Sequence, residues 1–424
     1  MKKFLLVLLF ITVSFGMLFA VGGKKAEEKT ITLWHVDLGN IKELNEAAIK
    51  RFNEEFPEVT VELSPFQNDP YKTKLLLAMG SENPPDIFVT TGAGVLGDYL
   101  RAGKIRDITD MMNNDNYKDR FVSLKGVTFN GKIYGVPAGD VAIAVVYYNK
   151  EIFRKHNLSI PKDDEDFVKL INQLKNLGYV PIALANKTKW PGSMPYMYMV
   201  DRLGGPEPFR KAANREPGGT FQHPVYEKAG DMLQNLVKMG AFSEGFNGLD
   251  WDTGQSRALM YSGVAAMEVM GTFNNKIVKA ENPEFYENNL DFFPFPAIKG
   301  GKGDPNAVVG TVGDYVYSIS TGCEYPEDAF RILQYLIDDE SVKLRAETGG
   351  HPPVKGFKSQ DPLVQKVIDL VENSPYHQLW YDQYLPTELG EVHKNTCQAL
   401  LGLEMTPEEV NKAMDEAVAK FYEK

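Results

Sequence analysis

The sequence predicts an α/β protein built as two lobes. Three observations lead there. Its 424 residues, at roughly 100–200 residues per domain, favour two or three domains over one. A β-α-β-α-β rhythm fills the stretch from Thr30 to Val89, and a second α/β series begins after Tyr148.

Thr30 to His35 alternates into an apolar strand, and Leu44, Ala48 and Phe52 mark one face of a helix that ends before Pro57. Val59, Val61 and Leu63 then alternate as a second strand. Leu75, Leu76 and Met79 form a short helix, Pro84-Pro85 breaks it, and Ile87 to Val89 is an unbroken apolar strand. This is the pattern of a parallel sheet covered on both faces. Val141 to Tyr148 is the next long strand. After it, Phe167, Leu170, Ile171, Leu174 and Leu177 line a helix, Val180 to Leu184 a strand, and Val225, Ala229, Leu233 and Leu236 another helix. Strand patterns return between Asn288 and Ser320, where Pro294 and Pro296 suit a crossover linker better than a central strand. The end is helical: Ala329 to Leu336, Leu363 to Val371, then a run capped by Thr406 with Val410, Met414, Ala417 and Phe421 on one face.

Hydrophobic residues at 43% and charged residues at 24% are ordinary for a globular chain, which sets aside collagen-like, low-complexity and polytopic membrane classes. With 46 Lys plus Arg against 57 Asp plus Glu, the net charge of −11 repels phosphate backbones, so no nucleic-acid partner is expected. Aromatic residues reach 11%.

Lys2 and Lys3 precede an uncharged apolar run from Phe4 to Val21, and Ala20-Val21-Gly22 supplies small residues for cleavage. Residues 1–23 therefore read as a secretory signal peptide, with an uncleaved anchor as the alternative. Losing Lys2 and Lys3 takes the charge to near −13. Outside the inner membrane, catalysis that consumes ATP or NAD(P)H is out of place. Cys323 and Cys397 either pair, as an oxidising compartment permits, or stay as two buried thiols. No CxxC, His-x-x-x-His or Cys/His cluster supports a metal site, and no cofactor is expected.

Gly92-Ala93-Gly94-Val95-Leu96-Gly97 matches the dinucleotide fingerprint and follows a strand. Only Asp98 to Ala102 separates Gly97 from Gly103, too short for the helix that packs on such a sheet, so the glycines are expected to let the backbone approach a ligand at a strand end. Asp37, Asp140, Asp250, Asp252 and Asp314 lie near strand ends or in loops, as a glycoside hydrolase would require. A chain with 57 acids always offers such pairs, and no G-x-S-x-G or H-E-x-x-H motif joins them. An enzyme is not supported.

Binding a carbohydrate needs aromatic faces for the C–H side of a pyranose and planar polar side chains for its hydroxyls. Trp34-His35-Val36-Asp37, Lys189-Trp190-Pro191, Asp250-Trp251-Asp252 and Leu379-Trp380-Tyr381-Asp382 lie in segments of this kind, and a Tyr/Met-rich stretch from Tyr196 to Met199 adds to the aromatic surplus. Each tryptophan has the core as its alternative. His351, in Gly349-Gly350-His351-Pro352-Pro353, is a further donor.

Ile31-Thr32-Leu33-Trp34-His35, Phe52-Asn53-Glu54-Glu55-Phe56-Pro57, Pro84-Pro85-Asp86-Ile87, Tyr147-Tyr148-Asn149-Lys150-Glu151-Ile152-Phe153 and Gly263-Val264-Ala265-Ala266-Met267 through Gly271-Thr272-Phe273 stand in order along most of the chain. In this order and spacing the chain resembles family 1 extracellular solute-binding proteins of ABC importers, the sugar-binding branch. The resemblance implies two doubly wound lobes joined by hinge strands around a ligand cleft, with crossings near Pro137–Val141, near Asn288–Pro296 and after Asp338. The first lobe would then hold 24–140 plus 289–338, and the second 141–288 plus 339–424. It implies that His35, Asp37, Thr91 and Asp140 face the cleft from the first lobe or hinge, that Trp190, Trp251, Gly271, Thr272, Phe273 and Trp380 face it from the second, and that Asp314 sits near the recrossing. Phe273 replaces a commoner tryptophan and keeps the stacking face without the N–H. The implied partners are a small carbohydrate, whether monosaccharide, oligosaccharide or cyclic polyol, and the transmembrane permease subunits, with the protein itself a monomer. Leu18-Phe19-Ala20 is followed by Val21 and no lipobox Cys, so a freely diffusing periplasmic protein is expected. The rival readings are a secreted glycoside hydrolase and a non-catalytic cell-surface carbohydrate-binding protein.

Overall fold

The computed structural model describes residues 29–36, 40–313 and 315–423. The expected signal peptide, Asp37 and Asp314 lie outside the described residues. In chain order the strands are β1 (Lys29–Val36), β2 (Val59–Phe66), β3 (Ile87–Thr90), β4 (Thr128–Phe129), β5 (Lys132–Ile133), β6 (Val136–Pro137) and β7 (Val141–Asn149). They continue as β8 (Val180–Ala183), β9 (Ala265–Gly271), β10 (Leu290–Phe293), β11 (Val308–Val312), β12 (Val316–Ile319) and β13 (His377–Gln378).

The first sheet runs in the order β2-β1-β3-β12-β6. Its β1–β2 and β1–β3 pairs are parallel, as the β-α-β-α-β rhythm requires, with Lys29 opposite Val59 and Leu33 opposite Ile87. The helix Ile41–Glu55 connects β1 to β2. It buries Leu44, Ala48 and Phe52, residues four apart on one face, and ends at Phe56, whose successor Pro57 has no N–H with which to extend it. A strand from far along the chain completes this sheet: β12 lies antiparallel to β3, with Val316 opposite Thr90.

The second sheet runs β13-β11-β7-β9-β8, and β10 also pairs with β7. Along one edge β7 takes β11 at Val141–Ile143 and β10 at Val146–Asn149, while β9 holds its other edge. Covered on both faces, β7 is an almost continuous buried run, which is why it reads as VAIAVVYYN without alternation. Each sheet has its own apolar core. One gathers Phe52, Phe88, Phe121 and Phe330, and the other Tyr198, Phe209, Trp251, Phe292 and Leu400.

The chain leaves the first sheet after Pro137 and enters the second at Val141. The return differs from expectation. Strands β10 and β11 pair with β7, so residues 290–312 build the second sheet, and the chain rejoins the first only at Val316. Pro294 and Pro296 end β10 and do not mark a crossing. The buried Arg202 guanidinium fastens the following segment to the second lobe, donating to the carbonyls of Phe295, Pro305 and Ala307. The third boundary also moves. Asp338 caps the helix Asp339–Glu347 and accepts from Arg51, Val342 lies in the first core, and Val354 bridges Phe121, so this stretch stays on the first lobe. Only from Pro362 does the helix Pro362–Glu372 put Leu363, Val367 and Val371 into the second core. Cys323 is buried in the first core and Cys397 in the second, both as free thiols, which decides against a disulfide.

Candidate functional site

A cavity of about 620 Å³ lies where the lobes meet. This is within the size range of small-molecule pockets, which are concave and largely apolar with a few placed polar groups. Its second-lobe floor is aromatic. The rings of Trp190 and Trp251 lie 4.9 Å apart at 72°, those of Trp251 and Phe273 5.5 Å apart at 87°, and those of Trp190 and Phe273 6.0 Å apart at 68°. All three line the cavity, and Trp380 joins them. Such edge-to-face packing fixes each ring through its neighbours, so the surface is formed before a ligand arrives.

Local sequence sets each ring. Trp190 opens the helix Trp190–Gly204 beside Pro191, a residue tolerated at a helix start because its missing N–H has no partner to lose there. Asn186 Oδ1 accepts from Gly192 N at 2.8 Å and pins this first turn. The preceding Lys189 is held at φ +71°, an outlier for a residue with a Cβ. Trp251 is 2% exposed. Arg257 covers its ring at 4.9 Å and donates to its carbonyl, while Glu281 accepts from the guanidinium through both oxygens. The indole N–H groups of Trp190 and Trp251 are buried with no hydrogen-bond partner among the described residues. A buried donor left so is costly unless something else accepts from it.

The first lobe supplies the facing wall. Tyr71 lies on the helix Asn68–Met79, and its hydroxyl both donates to Val89 O at 2.7 Å and accepts from Val89 N at 2.9 Å, locking the ring to β3. Thr91, Asp98 and Tyr99 follow from the end of β3 and the helix Ala93–Arg101, and Tyr315 enters from the crossing. Charged residues of both signs, Lys72, Asp382, Glu391 and Lys394, ring the rest. Burial raises the Asp382 carboxyl above its ordinary range, against the pull of Lys394 and Lys72.

Of the residues expected in the cleft, Thr91, Trp190, Trp251, Phe273 and Trp380 line the cavity. Five others do not. His35 is buried in β1 with Nδ1 3.0 Å from Val36 O. Thr272 Oγ1 accepts from Ile143 N and donates to Val141 O, so it ties β9 to β7. Gly271 sits in that ladder opposite Ala144, where a Cβ would strike the Phe273 ring. Asp140 and His351 belong to a buried network at the first crossing. Asp140 accepts from Lys276 Nζ and from His351 N, with Arg345 3.8 Å away. The His351 ring faces Asn275, which accepts from the Tyr147 hydroxyl. Burial drives the His351 imidazole down to about 4. Trp34 packs on Phe66 at 4.9 Å. Tyr196, Tyr198 and Met199 are core residues; of the helix Trp190–Gly204, Trp190, Ser193, Met194 and Met197 reach the cavity. Sequence reasoning missed Tyr71, Asp98, Tyr315 and Lys394; none carries a local pattern that separates it from an ordinary helix or strand position.

Two α/β lobes, a chain that crosses between them three times and an aromatic-floored cavity at their junction define an extracellular solute-binding protein. Residues 38–343 match the family described as bacterial extracellular solute-binding protein, and the chain belongs to that family. It is similar to a solved structure from work on xylan utilization by the thermophilic bacterium Caldanaerobius polysaccharolyticus, with 31% identity, a TM-score of 0.85, and coverage of 92% of this chain and all of that one. An ABC transporter extracellular-binding protein of Pyrococcus horikoshii is 28% identical over 361 residues, 83% of this chain and 78% of that protein. The multiple sugar-binding protein of Streptococcus mutans is 23% identical over 350 residues, 80% of this chain and 79% of that protein. Among the described residues no helix is long and apolar enough to cross a membrane.

Proposed function

We propose that this protein captures a carbohydrate between its lobes, without altering it, and delivers it to the membrane subunits of an ABC importer. The observation that carries this reading is the Trp190–Trp251–Phe273 cluster with its two unpartnered indole N–H groups. Ring faces suit the C–H side of a pyranose, and indole donors suit its oxygens. The likeness to the sugar-binding protein of Streptococcus mutans and to the structure from xylan utilization supports the same ligand class. Oligosaccharides are the first class to test, because the cavity extends from the aromatic floor past Thr91 and Asp98 to Lys394 and Phe421.

The hydrolase reading has less support. Asp98 is engaged with Arg101 and Thr387, and Glu391 with Lys394, so neither stands free as acid or nucleophile, which leaves Asp382 as a cavity acid that product analysis tests. In the receptor reading the sugar touches both walls only when the lobes are together, and differential affinity drives closure. A dissociation constant of about 1 μM corresponds to about −8 kcal/mol, within reach of stacked rings and a few hydrogen bonds. Thermal shift and product analysis with xylotriose, chitotriose and raffinose test this. A shift without cleavage is expected; turnover, or no shift with any sugar, defeats the reading. Stimulation of the cognate permease's ATPase by sugar-loaded protein tests delivery, and export is checked by the compartment in which the mature chain is recovered.

A further inference from the structure

We propose that Asp98 and Gly94 are positioning residues for ligand capture, which dock the first lobe on the second and set how long the closed form lasts. The proposal rests on the receptor reading above. The helix Thr387–Leu401 begins after Pro386, which has no side-chain acceptor, and it carries no cap of its own. Its leading N–H groups need acceptors from elsewhere. The Thr387 N–H donates to Asp98 Oδ2 at 2.8 Å, and the Thr387 hydroxyl donates to the same oxygen. Asp98 comes from the other lobe, on the helix Ala93–Arg101. It therefore caps a helix 289 residues away in sequence, and its charge suits a helix N-terminus. Arg101, three residues on, pairs with the other oxygen, Oδ1, and holds the carboxylate in place.

Gly94 lies four residues before Asp98 and so on the same helix face. A Cβ there would lie 2.2 Å from the Leu385 carbonyl oxygen and 2.5 Å from that of Tyr384. Both acceptors belong to the second lobe, since Leu385 and Tyr384 pack in its core. The glycine of the fingerprint-like run thus admits the backbone of the opposite lobe, where the sequence suggested a ligand. Asp98 and Thr387 also line the cavity, so this contact shuts one side of it. It exists only when the lobes meet.

Two variants separate docking from folding. Asp98→Ala removes the cap donated across the cleft. Gly94→Ala puts the better helix former into its own helix, so a purely local role predicts equal or higher thermal stability and unchanged binding, whereas docking predicts impaired closure at unchanged stability. Small-angle X-ray scattering of the ligand-free chain and stopped-flow release of xylotriose, chitotriose or raffinose are compared with wild type, with Asp98→Asn as the variant that keeps an acceptor. The expected result is a larger radius of gyration or faster release, about twofold to thirtyfold for Asp98→Ala, the range that follows from loss of a helix cap. Partial rescue is expected in Asp98→Asn, with association changed far less than release. If neither radius nor release moves in Asp98→Ala and Gly94→Ala, the proposal is overturned while the receptor reading stands. If none of the sugars binds wild type, the receptor reading fails, and the radius alone decides: expansion upholds docking and an unchanged radius ends it.

Discussion

Lys276 Nζ lies 2.7 Å from Asp140 Oδ2 with both side chains enclosed, 2% and 1% exposed. Asp140 follows the point where the chain leaves the first sheet, while Lys276 sits on the helix Asn274–Glu281 directly after Phe273. The ion pair therefore ties the crossing to the element that carries an aromatic wall of the cavity. Burial alone would raise the Asp140 carboxyl, yet Lys276 and Arg345 outweigh it and hold it at about 2.

Removing one member of such a pair leaves the other charged and buried, at a cost of about 3–5 kcal/mol. Lys276→Met is expected to lower stability by that order in urea denaturation, and Asp140→Asn by less, since the amide still accepts from His351 N. The sign with pH follows from linkage. A carboxylate whose folded pKa is depressed contributes stability above its unfolded value near 3.8, and that stability is lost as pH falls toward about 2. Acid titration of Asp140→Asn should show less loss across that window; an acid limb identical to wild type would remove the network from the account.

Glu268 gives the opposite sign. It is fully enclosed on β9, accepts from Ser256 Oγ at 2.7 Å and faces Asn274, and burial raises its carboxyl to about 7. Between its unfolded value near 4.5 and about 7 the folded chain holds a proton that the unfolded chain has released, so stability falls as pH rises through that interval. Glu268→Gln, which stays neutral, is expected to flatten the melting temperature between pH 5 and 7.5. Differential scanning calorimetry checks this, and a slope equal to wild type would mean that Glu268 is ionised throughout.

Trp190 and Trp251 make the stacking and donor contributions separable. Trp190→Ala is expected to weaken sugar binding by about 2–4 kcal/mol, the loss typical of a central aromatic anchor. Trp251→Phe keeps a ring beneath Arg257 and deletes only the N–H that lacks a protein partner. Its expected cost is about 0.5–1.5 kcal/mol, that of one hydrogen bond. Isothermal titration with the sugar found by thermal shift measures both, and equal affinity in Trp251→Phe would show that the indole makes no bond to the ligand.

The strands β1 and β2 and the helix Ile41–Glu55 were legible because one face of each is the more buried, which writes a period into the sequence, and β3 because burial on both faces makes it a continuous apolar run. Trp190 and Trp251 were legible as candidates because each ring stands beside Pro or Asp, in segments that offer aromatic faces and polar groups together. Asp140 and His351 misled for a physical reason. A polar residue at a strand end looks the same whether it meets a ligand or a buried lysine 136 positions away, as Asp140 does. Lys394 was missed from the opposite side, since a charged residue on a helix reads as part of a solvated face until the other lobe covers it. Gly94 shows the same limit: its role depends on a carbonyl at Leu385, which no local pattern encodes.

The prolines after β10 misplaced a lobe boundary, and Arg202 explains what they could not. Its side chain is 1% exposed, pairs with Asp201 at 2.7 Å and lies over the Tyr198 ring at 4.8 Å. Its Nη2 donates to the carbonyls of Phe295, Pro305 and Ala307, so one guanidinium gathers three points of a segment with no strand of its own. Lysine cannot reproduce the fork, because one ammonium cannot serve both Asp201, which accepts from Nη1, and the carbonyls grouped around Nη2. Arg202→Lys is therefore expected to loosen residues 294–307 while leaving β10 and β11 paired to β7. Lys299 and Lys302 are trypsin sites within that stretch. Limited trypsin digestion should cut there sooner in Arg202→Lys than in wild type, with the other early fragments unchanged. Equal cleavage rates at these two lysines would show that the segment is held by its remaining contacts, among them Lys299 with Glu165 and the Ile298 packing, and not by Arg202.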